Sequence, residues 1–121
     1  MIQQPALDCE IMSMASEDMY GLHEIVWTLN VSHPNVAKED KVAAAQSAVR
    51  SLLSRKYIVL HRLQWHPTLD LGAIPPDQAD AVITDPASWE ASQEYIGFVA
   101  TAAGRREYQE GKFFDRGLTD G

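Results

Sequence analysis

The segment His23-Glu24-Ile25-Val26-Trp27 begins like the HExxH motif of zinc proteases. In that motif, two histidines on one face of a helix bind the metal and the glutamate acts as the general base. Here Trp27 stands where the second histidine is required, so one metal ligand is missing. We therefore expect no zinc-protease chemistry at this segment.

His61, His66 and Asp70 form a second group with the donor atoms that a divalent metal needs. His61 falls in a predicted strand, where alternate residues point to opposite faces of the sheet. The two histidines therefore converge only if the chain bends between them. Because scattered histidines at strand edges are far commoner than metal sites, we expect no metal ion and no other cofactor.

Asp77 and Asp80 have the spacing of a helical turn and are the best pair of carboxylates for acid–base catalysis. Such catalysis needs a carboxyl group whose pKa is shifted by burial, whereas their alanine-rich segment predicts a solvated helix face. The sequence has no glycine-rich phosphate loop and no Gly-x-Ser-x-Gly elbow. The single cysteine, Cys9, lies between two acids that raise its pKa. We therefore expect no catalytic residues and no enzyme activity.

Composition is that of one ordinary globular domain over residues 1–121, with 45% hydrophobic and 22% charged residues. A net charge of −7 favours basic partners and disfavours nucleic acid and anionic membranes. The N-terminal segment lacks the basic and apolar regions of a secretion signal, and no apolar run is long enough to span a membrane. The expected location is the cytoplasm, with no membrane contact.

Hydrophobic periodicity predicts two helices in the first half of the chain. Ser16 is predicted to cap the first, whose apolar positions repeat through residues 22–29 before Pro34 ends it. Residues 36–55 contain neither Gly nor Pro and are predicted to form one long helix. For residues 6–14 the pattern leaves open a strand or an extension of the first helix.

After the long helix, the hydrophobic pattern is no longer that of a helix. Residues 57–65 and 95–100 are rich in β-branched and aromatic side chains and predict a pair of antiparallel strands. Between these strands, prolines and acidic residues typical of helix starts predict a short helix that ends at residue 83. A further helical turn is predicted after it, with Asp85 as its cap and with Trp89 within it.

Thr101 is predicted to cap a last helix over residues 102–110. The tail, about residues 113–121, is rich in Gly and Asp and is expected to fray. Two aromatic residues in it, Phe113 and Phe114, are candidates for docking onto the domain or for dimerisation.

The order helix, long helix, strand, insertion, strand, helix resembles a winged-helix domain. Residues 49–60 (VRSLLSRKYIVL) resemble the third helix of that superfamily running into its first wing strand, and residues 101–105 (TAAGR) resemble the threonine-and-glycine signature after the wing. Residues 22–30 (LHEIVWTLN) and 85–90 (DPASWE) look like a group of small uncharacterised bacterial proteins, which brings no activity.

The resemblance implies an α+β fold, a single small winged-helix-like domain with a two-stranded antiparallel wing and a long insertion at about residues 66–94. The superfamily normally places two helices and a short turn before the first wing strand. Residues 35–56 contain no turn residue, so we expect a reduced helix-turn-helix, and whether it is intact is left open.

The predicted insertion is acidic. Between Leu63 and Gly104 the chain has no Lys or Arg, although a wing that grips DNA needs cations for the phosphates. This stretch contains six carboxylates: Asp70, Asp77, Asp80, Asp85, Glu90 and Glu94. Three aromatic residues, Trp65, Trp89 and Tyr95, bracket the insertion and are candidate anchors for a partner. Alternatively, the two tryptophans pin the insertion to the sheet.

The leading hypothesis is a non-catalytic protein-interaction module that binds, and perhaps neutralises, a basic protein partner, as immunity and antitoxin-type proteins do. The residues assigned to this contact combine aromatic anchors with charge that steers a basic partner. They are Trp65, Asp77, Asp80, Asp85, Trp89, Glu90 and Glu94.

The alternative is a winged-helix transcriptional regulator that binds DNA, as a dimer, through the outward face of the long helix. Polar and basic residues suited to base edges and phosphates define this face. They are Gln46, Ser47, Arg50, Arg55 and Arg62. A third hypothesis is a homodimer with a purely structural role, held together by the aromatic tail.

Overall fold

In the computed structural model, which describes residues 2–113, five α-helices pack with one antiparallel sheet of four strands. The fold is therefore α+β, as the sequence predicted. In chain order the elements are α1 (Gln4–Glu17), β1 (Tyr20–Gly21), α2 (Leu22–Ser32), α3 (Lys38–Ser54), β2 (Ile58–Gln64), β3 (Leu69–Ala73), α4 (Pro76–Thr84), a 3₁₀ turn (Pro86–Trp89), β4 (Glu94–Ala100) and α5 (Ala102–Gln109). None of the helices in this part of the chain is long and apolar enough to cross a membrane.

The strand order in the sheet is β1-β4-β2-β3, with all neighbours antiparallel. The predicted pair of strands is confirmed: β2 and β4 pair along their full length, from Ile58 opposite Ala100 to Gln64 opposite Glu94. The two outer strands were not predicted. β1 is too short to show the alternation of apolar and polar side chains that identifies a strand in a sequence. β3 contains Asp70 and Gly72, residue types that strands disfavour. The sheet over residues 2–113 is therefore larger than a two-stranded wing.

The predicted start of the first helix is wrong. Ser16 does not cap a helix but lies in the last turn of α1, and α2 begins only after β1. Helix α1 forms because Leu7, Ile11 and Ala15 repeat every four residues and all three are buried against the core. The separate start of α2 is fixed by Glu24, whose carboxylate accepts a hydrogen bond from the backbone N–H of Gly21 at 2.7 Å.

The long helix is confirmed as α3, and residues 33–37 connect it to α2. Within residues 35–56 the structure has one continuous helix, Lys38–Ser54. Lys41 is buried where α2 and α3 meet, and its ammonium donates a hydrogen bond to Asn30 at 3.0 Å. This bond compensates a buried polar group between the two helices.

Elements with strong capping signals appear where they were predicted. The Asp85 carboxylate accepts from the N–H of Ala87 at 3.0 Å at the start of the 3₁₀ turn, and the Thr101 hydroxyl oxygen accepts from Gly104 N–H at 3.0 Å at the start of α5. The Thr101 hydroxyl also donates to the carbonyl of Lys56 at 2.7 Å. It thereby fixes the first turn of α5 onto the chain between α3 and β2.

Phe113, expected to fray, is buried and packs edge to face on Tyr57, with ring centroids 5.7 Å apart. The docking suggested for it is therefore observed. The predictions for Phe114 and the rest of the tail concern residues outside those that the structure describes. Residues 66–94, which sequence reasoning interpreted as an insertion and which we continue to call the insertion, add β3 to the edge of the sheet and place α4 against α3.

Candidate interaction surface

Helix α4 lies on the face of α3 that the sequence offered for DNA. The side-chain amide of Gln46 donates a hydrogen bond to the carbonyl oxygen of Ile83 at 2.9 Å. Arg50 is also engaged: its Nε lies 2.8 Å from Asp80 Oδ1, and its Nη2 donates to Thr84 Oγ1 at 2.8 Å. In this arrangement the two side chains best suited to base edges are bonded to the insertion.

Among the other residues of the DNA hypothesis, Arg55 is also engaged within the domain. Arg55 pairs with Asp8, with 3.0 Å between Nη2 and Oδ2, and its guanidinium lies 5.4 Å from the ring centroid of Tyr57. This position holds α1 against the end of α3, so Arg55 has a structural role. Ser47 and Arg62 are exposed.

The insertion uses much of its acidic charge inside the domain. Asp80 pairs with Arg50, Glu90 pairs with Lys38 at 3.1 Å, and Asp85 caps the 3₁₀ turn. Asp77 and Glu94 are exposed. The acidic residues expected to face a partner therefore differ in role, since three of them also stabilise the insertion.

The two tryptophans of the interaction hypothesis differ in their exposure to solvent. Trp89 is only 3% exposed, and its indole N–H donates to the carbonyl of Ile83 at 2.8 Å. Its assignment to a partner surface is contradicted, because the core holds the ring and its polar edge is already bonded. Trp65, in contrast, is 50% exposed.

Trp65 belongs to a pocket of about 470 Å³ between α2 and the segment that leads into β4. We call it the aromatic pocket and define it by its lining residues: His23, Glu24, Trp27, Trp65, Ala91, Ser92, Gln93 and Tyr95. Trp27, on α2, is 54% exposed. Two half-exposed indoles thus border one concave site, which is where anchor side chains of a partner commonly bind.

The backbone of Trp65 is held in place by Gln93. The N–H of Trp65 donates to the carbonyl of Gln93 at 2.8 Å, and the Gln93 side-chain amide donates back to the carbonyl of Trp65 at 2.6 Å. These two bonds join the end of β2 to the segment before β4. The backbone that carries the indole is therefore fixed before any ligand binds.

His23 forms part of the pocket wall and is only 9% exposed. Its ring packs edge to face on Trp27 and on Tyr95, with centroid distances of 4.7 and 5.4 Å. Burial lowers the pKa of His23, and the nearby Glu24 carboxylate offsets this only in part. The imidazole is therefore neutral at neutral pH.

The imidazole fits only because Gly21 has no side chain. A Cβ atom at Gly21 would lie 2.4 Å from Cε1 of His23 and 2.7 Å from Nδ1. Nδ1 is buried here without a hydrogen-bond partner among the described residues. A lone pair is less costly than an N–H group in such a place, so the ring proton belongs on Nε2.

The charge of the aromatic pocket is negative. Glu24 lines it, and its charge adds to the effect of burial in raising the pKa of Tyr95. No lysine or arginine is among the lining residues that the structure describes. Sequence reasoning considered Glu24 and Trp27 only as parts of an incomplete HExxH motif and so did not identify them as residues of a binding site.

A larger apolar groove, of about 780 Å³, lies between the end of α3, β2 and the insertion. Its walls are mainly aliphatic and include Leu53, Val59, Leu60, Ile74, Pro75 and Ile83. Arg50 and Asp80 at its rim are bonded to each other. These two charged groups of the groove are therefore engaged with each other.

His61 and Asp70 come together, but His66 does not join them. The Nδ1 atom of His61 lies 3.0 Å from Asp70 Oδ1, whereas the ring of His66 packs on Trp65 with centroids 4.8 Å apart. Within residues 2–113 no group of three His, Cys, Asp or Glu side chains is placed to hold a metal ion.

Comparison of the chain with protein-family models, with curated proteins and with solved structures finds no match.

Proposed function

We propose that this chain is a winged-helix-like domain that acts as a non-catalytic protein-interaction module and binds a basic partner protein. The order α2, turn, α3, β2 supports the winged-helix part of this proposal, since the superfamily places two helices and a turn before its first wing strand. In such a domain α3 is the recognition helix. Binding of this kind would mask a basic protein, as immunity and antitoxin-type proteins do.

The observation that carries the proposal is the pair of half-exposed indoles at one pocket. Trp27 and Trp65 come from distant parts of the chain and are 54% and 50% exposed. Exposed tryptophans at a preformed concave site are typical anchors of protein interfaces. The net charge of −7 would steer a basic partner toward the domain and repel an acidic one.

The position of α4 supports the same conclusion. DNA recognition through α3 requires Gln46 and Arg50 to reach base edges, but both are bonded to α4. The insertion also brings carboxylates to that face, where phosphate oxygens would have to approach. Binding to DNA would therefore require α4 to leave α3.

A DNA-binding regulator remains the second candidate, because α2 and α3 are two separate helices joined by a turn. It predicts binding to a labelled random-sequence duplex that weakens steeply as salt rises. Fluorescence anisotropy from low to physiological salt measures this directly. We expect no binding at either end of the series, and clear salt-dependent binding would overturn the interaction proposal.

Affinity capture at low salt tests the interaction proposal itself. The tagged wild type, the double variant Trp27→Ala/Trp65→Ala and the control Val31→Ala are compared in parallel. Val31 is a suitable control because it is an exposed apolar residue of α2 outside the aromatic pocket. We expect the wild type and the control to retain the same basic protein and the double variant to lose it.

Retention of that protein by all three proteins would show that the indoles do not carry the contact. Retention of no basic protein by the wild type would contradict the proposal as a whole. Circular dichroism of each variant shows whether the domain is folded, so that loss of binding is not confused with loss of structure.

A further inference from the structure

We propose that the aromatic pocket is a binding site for a single organic cation, the guanidinium or alkylammonium head of a basic side chain. This inference rests on the proposed function and specifies the chemistry of its contact. It also predicts a property that small probes can test without the partner protein.

The walls of the pocket supply aromatic rings. Trp27 and Trp65 are half exposed, and Tyr95 packs edge to face against His23. A cation within about 6 Å of an aromatic centroid is attracted by the negative charge of the ring face, most strongly by Trp. Three such rings around one pocket favour a cationic head over an uncharged polar one.

Glu24 supplies the counter-charge. Its Oε2 accepts the hydrogen bond from Gly21, which fixes the carboxylate on the first turn of α2. A carboxylate has about four lone-pair sites, so this bond leaves acceptor capacity for a ligand. No lysine or arginine within residues 2–113 forms a salt bridge with Glu24.

His23 keeps the wall uncharged. Nine-tenths of the imidazole is buried, and its Nδ1 has no hydrogen-bond partner among the described residues. A neutral ring at this position does not repel a cation as an imidazolium would. An anion is disfavoured in the same pocket by Glu24 and by the absence of any basic lining residue among those described.

The size of the pocket agrees with a side chain as its occupant. About 470 Å³ falls in the ordinary range of ligand sites and leaves room for the head group and the methylene stem of Arg or Lys. The stem would lie along the two indoles, where its apolar surface is removed from water.

Nuclear magnetic resonance of the indole N–H groups gives a test with a built-in control, because the chain has three tryptophans. Trp27 and Trp65 line the pocket, whereas the N–H of Trp89 is buried and bonded to Ile83. The probes are N-acetyl-arginine amide and N-acetyl-trimethyllysine amide. N-acetyl-citrulline amide, which has a similar shape but no charge, is the matched neutral probe.

We expect saturable shifts of the Trp27 and Trp65 signals with at least one cationic probe, at constant ionic strength, and no shift of Trp89. The arginine probe alone would identify a guanidinium site, and the trimethyllysine probe alone an alkylammonium site. Equal shifts with citrulline would overturn the inference, as would equal movement of all three indoles or no movement at all.

Glu24→Gln is the decisive variant, since the amide oxygen of Gln still accepts the bond from Gly21 N–H. We expect it to weaken cation binding about tenfold, through loss of the charge-assisted contact. Glu39→Gln, which removes an exposed carboxylate in the first turn of α3, is the control and should bind like the wild type. Unchanged affinity in Glu24→Gln would contradict the role of the carboxylate.

The two proposals fail separately. If the cationic probes do not bind but a basic protein is still captured through Trp27 and Trp65, the cation-site proposal is contradicted and the interaction-module proposal is supported. If the probes bind but no basic protein is captured, the interaction-module proposal is contradicted and the cation-site proposal is supported.

Discussion

Arg50 of α3 and Asp80 of α4 form an ion pair across the junction between the helix and the insertion, with 2.8 Å between Nε and Oδ1. The pair is largely exposed, so its own contribution to stability is small. Ile83 of the same helix is almost fully buried, and burial of an aliphatic side chain stabilises more than an exposed ion pair. The position of α4 on α3 therefore depends more on apolar packing than on the ion pair.

This division predicts two different mutational effects. Asp80→Asn should lower the free energy of unfolding by less than about 1 kcal/mol. Ile83→Ala should lower it by about 2–5 kcal/mol, because it removes buried methyl groups and leaves a cavity. Urea denaturation of both variants measures the difference. Similar losses in the two would show that charge and packing hold α4 equally.

Gly104 should tolerate no side chain. A Cβ atom there would lie 2.0 Å from the carbonyl oxygen of Tyr57, and the backbone at that point is fixed by the bond from Thr101 N–H to the same oxygen. We expect Gly104→Ala to lower the free energy of unfolding by about 2 kcal/mol or more, although Ala is the better helix former. Thermal unfolding beside Ala103→Ser, an exposed position of α5, checks this. A stabilised Gly104→Ala would contradict the close approach.

We expect Arg55 to contribute to the stability of the domain and not to contact nucleic acid. Its partner Asp8 is nearly buried, so Arg55→Met removes the ion pair of a carboxylate that has little access to water. We expect a loss of about 3 kcal/mol, in the range for breaking a buried pair. Arg62→Met, at an exposed position of β2, should change stability by less than about 0.5 kcal/mol. Chemical denaturation of both variants tests the contrast, which equal losses would contradict.

His23 should make the domain less stable in mild acid. Its pKa in the folded state is lowered from the ordinary value of 6.5 by burial, so the unfolded chain binds the proton more readily. Its contribution is complete above about pH 7 and is lost as the pH falls through the unfolded pKa toward the folded one. The free energy of unfolding, measured between pH 7.5 and 5, should fall with pH.

The matched variant is His23→Gln, which cannot titrate. We expect its stability to change less than that of the wild type over the same interval, even if it is lower at pH 7.5. An identical slope in wild type and His23→Gln would assign the acid sensitivity to other groups.

Local signals in the sequence predicted a large part of the fold. The uninterrupted propensity of α3, the β-branched residues of β2 and β4, and the caps at Asp85 and Thr101 act within a few residues along the chain. Such signals need no knowledge of distant contacts. The prediction failed around Ser16, where a cap followed by acids competed with the buried repeat of α1.

Strands β1 and β3 depend on partners elsewhere in the chain. β1 has two residues and exists because Tyr20 lies opposite Phe98 of β4. β3 contains a glycine and an aspartate and is held by the edge of β2. Neither has a periodic pattern of its own, so their pairing came from the tertiary structure.

The candidate site divides in the same way. The sequence by itself determined the residue types, an acidic chain with two tryptophans beside an acidic segment, and these favoured a basic partner over DNA. Only the tertiary structure decided that Trp65 meets Trp27 and Glu24 at one pocket, that Trp89 is buried, and that α4 covers Gln46 and Arg50. The physical reason is that the exposure and the contacts of a side chain depend on how distant segments pack. The residue type and its neighbours along the chain do not determine either of them.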